Sequence, residues 1–264
     1  MWNLTMNGKA ISHSAVPSKL AERLSSIPKA AVAFSGGVDS SYLLFAARAC
    51  GVDVRAYYVS SQFQPQFELE DAWQLSGDLG VNMTIIPVDV LSNETVVANP
   101  ADRCYHCKRL ILESIIKNAA EDGYYTLMDG SNASDDASDR PGMRALSELK
   151  VASPLREAGV TKNQVREFSR AANLFTWDKP AYACLSTRVP TGVALTSELL
   201  DKIENAEDTL SKMGFSDFRA RIIGTAVKLQ LPTEQIPLAV KRHGELFKTL
   251  SVWFSDVYLD LKPR

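Results

Sequence analysis

Val32-Ala33-Phe34-Ser35-Gly36-Gly37-Val38-Asp39-Ser40 is the stretch that decides the fold. An apolar run over residues 29–34 ends at a serine and two glycines, and a helical pattern opens directly after them, over 40–50. A short apolar run bounded by glycine predicts a strand buried on both faces. Strand, tight turn and helix together suit an anion. Glycines let backbone N–H groups approach phosphate oxygens, and a helix N-terminus carries partial positive charge. Ser35, Ser40 and Ser41 add hydroxyl donors, and Asp39 offers the carboxylate that Mg²⁺ takes beside substrate phosphates. The stretch has neither the lysine and spacing of a Walker A loop nor the G-x-G-x-x-G of a dinucleotide fingerprint. A plain glycine turn with a Ser/Asp helix cap is the competing reading. Ser-Gly-Gly-x-Asp-Ser between a strand and a helix is too particular a pattern for it.

The alternation continues on both sides. A short helix carrying Leu20, Leu24 and Ile27 on one face precedes the stretch. Residues 54–59, 82–88 and 124–127 read as strands, and 68–79, 108–120 and 161–172 as helices. Strands separated by helices predict βαβ units and a mostly parallel sheet, hence an α/β fold. Asp129-Gly130 ends a strand on the edge where such sheets hold ligands, with plain turn chemistry as the competing reading. Residues 130–142 form a loop by composition, ending in Asp139-Arg140-Pro141-Gly142. From about residue 194 the rhythm changes. A helix over 197–213, a hairpin of 218–223 with 226–231, a helix over 235–250 and a strand over 252–261 predict a small α+β module. The domains are therefore expected at 1–190 and 191–264.

The 264 residues are 45% hydrophobic, which is ample for a core, and the net charge of -2 speaks against a nucleic-acid partner. No apolar run approaches the ~20 residues of a membrane span, so no membrane partner is expected. The N-terminus lacks the apolar stretch of a secretory signal, which predicts a cytoplasmic protein with reduced cysteines.

Cys104-Tyr105-His106-Cys107 stands just before the helix read over 108–120, where a helix N-terminus favours thiolate. Cys184 lies in an irregular segment. Three thiolates with one open position suit a [4Fe–4S] cluster. Zinc would need a fourth ligand such as His106. A redox dithiol shares the CxxC spelling, and partly buried free thiols are the plain alternative. Cys50 shares a helix face with Leu43 and Ala47 and reads as a small core residue. Arg188, four residues after Cys184, is placed to stabilise developing phosphate charge, and Lys108 joins the phosphates if the CxxC does. A surface arginine is the competing reading for Arg188. Arg219 and Arg221 share one face of a strand and, with Glu207, are candidates for a substrate phosphate, against the commoner reading of exposed strand charges.

Ser35-Gly36-Gly37-Val38-Asp39-Ser40 resembles the signature of the PP-loop ATP pyrophosphatases, among them GMP synthetase, NAD synthetase, asparagine synthetase and tRNA-thiolating enzymes. The resemblance implies cleavage of ATP to AMP and pyrophosphate through an adenylate. It also implies a loop that cups the pyrophosphate and a second strand end, near Ser60, beside the adenine. Together with Asp129-Gly130, Asp139-Arg140-Pro141-Gly142 and Cys184-Leu185-Ser186-Thr187-Arg188-Val189-Pro190-Thr191-Gly192, nearly the whole chain resembles the LarE family, ATP-dependent sulfur transferases of nickel-pincer nucleotide assembly. That resemblance implies a pyridinium biscarboxylic acid mononucleotide as substrate, adenylated on a carboxylate and given sulfur as a thiocarboxylate. Some members of the family sacrifice a single cysteine, and others carry a [4Fe–4S] cluster on three. Cys104, Cys107 and Cys184 resemble the second kind, which would draw on sulfide or another sulfur donor. A homo-oligomer is the expected state. Three rivals stand beside this reading, one of them a non-catalytic nucleotide sensor that keeps the ATP loop, against which an intact Asp39 and three thiolates speak. An ammonia-dependent amide ligase of the NAD or GMP synthetase sort leaves the three cysteines unexplained, and a tRNA thiolase wants a basic surface.

Overall fold

The computed structural model describes residues 5–6, 9–10, 15–135 and 141–264. In chain order the elements are β1 (Thr5–Met6), β2 (Lys9–Ala10), α1 (Ser18–Ser25), β3 (Lys29–Ala33), α2 (Val38–Ala49), β4 (Asp53–Ser60), α3 (Gln66–Asp78), β5 (Met83–Pro87), α4 (Glu94–Val97), α5 (Arg103–Glu121) and β6 (Leu127–Met128). There follow α6 (Pro141–Glu148), α7 (Pro154–Glu157), α8 (Lys162–Ala171), α9 (Ser197–Lys212), β7 (Arg219–Ile223), β8 (Ala226–Gln230), α10 (Ile236–Lys241), α11 (His243–Leu250) and β9 (Val257–Leu259). None of the described helices is long and apolar enough to cross a membrane. The chain divides into two compact units.

The first unit comprises residues 1–61, 66–88 and 102–179. Its sheet has the order β5-β4-β3-β6, and every pairing is parallel. Alternation along the strands builds the two covering layers. Ala30 and Val32 of β3, with Ala56 and Tyr58 of β4, pack into one core with Leu20 and Leu24 of α1 and Leu43, Leu44 and Phe45 of α2. Ala31, Tyr57 and Val59 point to the other face, where Leu112, Ile115 and Ala119 of α5 cover them. Burial of each such leucine contributes roughly 1.5–3 kcal/mol. From β3 the chain steps to β4 and then β5 on one side, while β6 pairs on the other side of β3. The carboxyl ends of β3 and β6 therefore flank the point where the strand order reverses, the usual ligand position of an open parallel sheet.

The second unit comprises residues 62–65, 89–101 and 180–264. β7 and β8 form an antiparallel hairpin, and β9 joins β8 in parallel. Leu200, Ile203, Ala206 and Leu210 make a buried stripe on α9, which packs against β7. The Thr196 side chain caps α9 by accepting a hydrogen bond from the Leu199 N–H.

The fold agrees with the sequence reading in class and departs from it at several ends. The cut falls after Lys179 rather than near 190, because 180–195 is stitched to the second unit. Leu185 N–H donates to the Phe63 carbonyl, Gly192 N–H to Asn99 and Leu195 N–H to Val97. α5 begins at Arg103, so Cys104 and Cys107 lie inside it rather than before it. Its buried stripe already starts at Tyr105, which polar neighbours conceal in the sequence. The helix read over 235–250 is two helices, broken where the Arg242 guanidinium turns to the Met213 carbonyl. Of the strand read over 252–261 only β9 forms, and β6 starts at Leu127 rather than 124.

Candidate functional site

The phosphate loop is the turn between β3 and α2. Gly36 sits at φ +69°, and a Cβ there would lie 3.0 Å from the Glu68 carbonyl oxygen of α3, so the turn needs glycine twice over. Ser40 ties the turn together: its Oγ donates to the Gly37 carbonyl at 3.2 Å and accepts from the Ser35 N–H at 3.3 Å. Ser41 faces the packing instead, fully buried, with no hydrogen-bond partner for its Oγ. The end of β6 closes on the same turn. A Cβ at Gly130 would lie 2.7 Å from the Ser40 nitrogen, so backbone meets backbone there. Beside it the buried Asp129 accepts hydrogen bonds from Ser131 Oγ and Ser153 Oγ, each at 2.6 Å, and its Oδ2 lies 3.5 Å from Lys108 Nζ. The first unit thus gathers Ser35, Gly36, Gly37, Asp39, Ser40, Asp129, Gly130 and Lys108. Ser60 ends β4 on the same edge of the sheet. Asp139 and Arg140 lie outside the described residues.

Three further residues reach this loop that sequence reasoning did not assign to it. Asn132 Nδ2 donates to Asp39 Oδ1 at 3.2 Å, Lys162 Nζ pairs with Asp39 Oδ2, and Lys179 Nζ bridges Asp71 Oδ2 and the Gly36 carbonyl. A signal for Lys162 was present. Thr161 and Gln164 form a capping box, which puts Lys162 at the first position of α8, and its own N–H donates to Ser134 Oγ at 3.0 Å.

Cys104 and Cys107 are three residues apart on α5 and so share one face of its first turns; Cys104 is exposed and Cys107 half-buried. Arg103 Nη2 lies 3.6 Å from Cys104 Sγ, and His106 pairs with Asp102 at 3.3 Å. Among the described residues, no three His, Cys, Asp or Glu side chains gather as a metal ion would need. Cys50 caps α2 and packs against the core; burial pushes its thiol pKa up, as suits a small core residue.

Cys184 belongs to the second unit, in a loop organised around a buried charge. Arg188 was read as a candidate for developing phosphate charge. Its guanidinium is instead committed to Glu207 through Nε and Nη2, and to the Ala183 and Cys184 carbonyls and Thr187 Oγ1 through Nη1. Burial presses this arginine towards neutrality, but the hydrogen bonds and charge of Glu207 outweigh that and hold its pKa above the ordinary value. Tyr182 lies between Arg188 and Arg219, 4.5 and 5.3 Å from ring centre to guanidinium, and donates to Glu207 Oε2 at 2.5 Å. Glu207 also accepts from the Ala220 N–H. Arg219 donates to the Phe218 and Ala181 carbonyls, and Arg221 to the Thr187 carbonyl. Burial, then the charges of Arg188 and Arg264, pull the Arg219 pKa down to about 10, so an anion beside it would be welcome. The strand pair and Glu207 therefore hold the loop from behind. Cys184 Sγ itself lies 3.0 Å from Ser186 Oγ.

A parallel sheet whose central strand delivers Ser-Gly-Gly-x-Asp-Ser to a helix, with a small α+β module after it, defines a PP-loop type α/β protein. The relatives narrow this. The chain is 34% identical over 245 residues to an uncharacterized protein of Synechocystis, covering 89% of this chain and 90% of the relative. It is 32% identical over 245 residues to the pyridinium-3,5-bisthiocarboxylic acid mononucleotide synthase of Lactiplantibacillus plantarum, covering 92% and 89%. An uncharacterized protein of Methanocaldococcus jannaschii is 28% identical over 234 residues, covering 89% and 90%. No family model matches the chain. With the synthase matched over nearly its full length, the chain belongs to the LarE-like enzyme family.

Proposed function

We propose that this protein is an ATP-dependent sulfur transferase in nickel-pincer cofactor synthesis, acting on a pyridinium mononucleotide. The observation that carries the ATP half is the assembly at the phosphate loop, where a glycine turn, a helix N-terminus, Asp39 and two lysines meet at the switch point of the sheet. In this reading the loop N–H groups hold the pyrophosphate portion of ATP, Asp39 holds Mg²⁺, and Lys108, steadied by Asp129, offsets charge that develops as a substrate carboxylate attacks the α-phosphate. Pyrophosphate leaves as the acyl-adenylate forms, and AMP leaves when the sulfur nucleophile displaces it from the acyl carbon. Arg219 and Arg221, which share one face of β7 and also brace the Cys184 loop, are the candidates for the substrate's own phosphate, together with Glu207.

The sulfur half rests on the name of the Lactiplantibacillus relative and on Cys104, Cys107 and Cys184, none of which is in a disulfide. Cys104, Cys107 and Cys184 have the donor chemistry of a [4Fe–4S] cluster, which when bound supplies an iron able to carry the sulfur transferred. Cys184, in the loop braced by Arg188, is also the cysteine suited to donating its own sulfur.

The experiment is an ATP-dependent assay on the pyridinium biscarboxylate mononucleotide with anaerobically purified protein. AMP and pyrophosphate should appear, and Asp39→Ala should lower the rate by about 10²-fold, near 3 kcal/mol of transition-state stabilisation. ADP and orthophosphate as products would overturn the ATP reading. Iron and sulfide content, with the protein mass after turnover, separates the two sulfur routes. An iron-free, active protein that loses one sulfur mass per product assigns the donor role to Cys184 itself.

A further inference from the structure

The phosphate loop carries no lysine between Ser35 and Ser41, yet two lysines from distant parts of the first unit reach it. They are held differently. Lys179 is mostly buried, with a side chain 15% exposed, and its ammonium is shared between Asp71 of α3 and the Gly36 carbonyl. That is a brace which fastens α3 to the turn. Lys162 projects from the first position of α8, where the Thr161 capping box and its own N–H to Ser134 fix the backbone. Its ammonium pairs with Asp39, the carboxylate of the loop itself. Both partners of that pair are about a quarter to a third open to water. A pair so placed is weakly held and opens readily. A polyphosphate entering the turn brings several negative charges to the same spot, and these are a stronger partner for an ammonium than one carboxylate.

We propose that Lys162 is a nucleotide-phosphate contact of this loop, parked on Asp39 until the phosphates arrive. In effect the fold supplies from α8 the lysine that the loop's own sequence omits. When Lys162 transfers to the phosphates it also frees Asp39. This rests on the reading of the loop as an ATP site.

The test is a double-mutant cycle on ATP binding to the full chain, measured by calorimetry in EDTA so that no metal contributes. Lys162→Met should weaken binding about tenfold or more, the size of one charge-assisted hydrogen bond. The loss should persist in the Asp39→Asn background, because the contact is with phosphate and not with Asp39. Lys162→Arg should stay within about threefold of the starting protein, and melting curves establish that each variant is folded. Should Lys162→Met itself unfold the chain, Lys162→Gln, which keeps most of the stem, takes its place. If the loss disappears once Asp39 is neutral, Lys162 only screens the carboxylate and the proposal is overturned. Unchanged binding by Lys162→Met overturns it as well. If the unmutated protein binds no ATP with or without Mg²⁺, the loop reading itself falls and takes this inference with it.

Discussion

At the phosphate loop the charged pair, Lys162 with Asp39, has side chains 30% and 26% exposed; in the Cys184 loop the corresponding pair, Arg188 with Glu207, is 0% and 5% exposed. Both loops present reactive groups, but the charges do different work. The phosphate loop is shaped by backbone: a positive φ at Gly36, the close approach of Gly130 and the start of α2. Its ion pair is laid over that frame and can be exchanged for a ligand's charges at little cost. The Cys184 loop has no regular element beyond a single short 3₁₀ turn, and it is shaped by a charge. Arg188 holds the Ala183 and Cys184 carbonyls, Glu207 holds Arg188, and Tyr182 covers the pair. A buried charge of that kind cannot swap partners without exposing its counterion to a low-dielectric interior. A half-open pair suits a contact that must yield to substrate, and a buried pair suits a thiol that must stay where it is.

The largest effect should come from breaking the buried pair. Glu207→Ala leaves Arg188 without its carboxylate, and also strips the acceptor from Tyr182 Oη and the Ala220 N–H. A loss of about 3–5 kcal/mol is expected, read by urea unfolding. The double substitution Arg188→Met with Glu207→Leu sharpens the point. It should recover much of that stability, because no charge is left stranded. It should not recover the proposed sulfur transfer, because the Ala183 and Cys184 carbonyls then lack their donor.

Next in size is Gly130→Ala. The added Cβ would stand 2.7 Å from the Ser40 nitrogen, against backbone that cannot rotate away. The end of β6 must move off the start of α2, at about 1–3 kcal/mol in stability. The larger consequence is expected for the nucleotide binding proposed for this turn, since Ser40 ties it together. Calorimetry should find ATP affinity reduced while the circular dichroism spectrum stays native. Retained affinity would mean that the turn is less dependent on its frame than this geometry implies.

How much of this could be read from the sequence follows the same division. The phosphate loop is local: strand, glycines, Asp39 and helix are contiguous, and the periodicity on each side announces the parallel sheet. Asp129-Gly130 was legible for a similar reason, as polar residues at a strand end. The Cys184 loop was not legible, because its organisation depends on contacts between residues far apart in sequence, such as Arg188 with Glu207 and Leu185 with Phe63. An arginine four residues after a cysteine looks like a phosphate ligand until its burial is known. The break between α10 and α11 falls at Arg242, whose guanidinium reaches the Met213 carbonyl, a contact no local pattern announces. Lys162 falls in between. Its capping box fixed its place on α8, but no local pattern says that the N-terminus of α8 meets Asp39.

The smallest effect is the most diagnostic. Asp39→Asn removes one partner of the half-open pair while keeping size and shape, and Asn132 still finds an oxygen at that position. Lys162 is left with water close by, so no charge is stranded in a dry interior. Exposed and partly exposed pairs contribute about 0–1 kcal/mol, and the variant should unfold within about 1 kcal/mol of the parent protein. The same substitution removes the carboxylate proposed for Mg²⁺, so AMP formation should fall by orders of magnitude with hardly any change in the melt. Set beside Glu207→Ala, this gives opposite signatures for two acidic residues that both pair with a basic one: one costs the fold, the other the reaction. An Asp39→Asn protein as unstable as Glu207→Ala would show that the phosphate-loop pair is also a structural bolt. In that case Lys162 could not be free to leave Asp39 for a ligand.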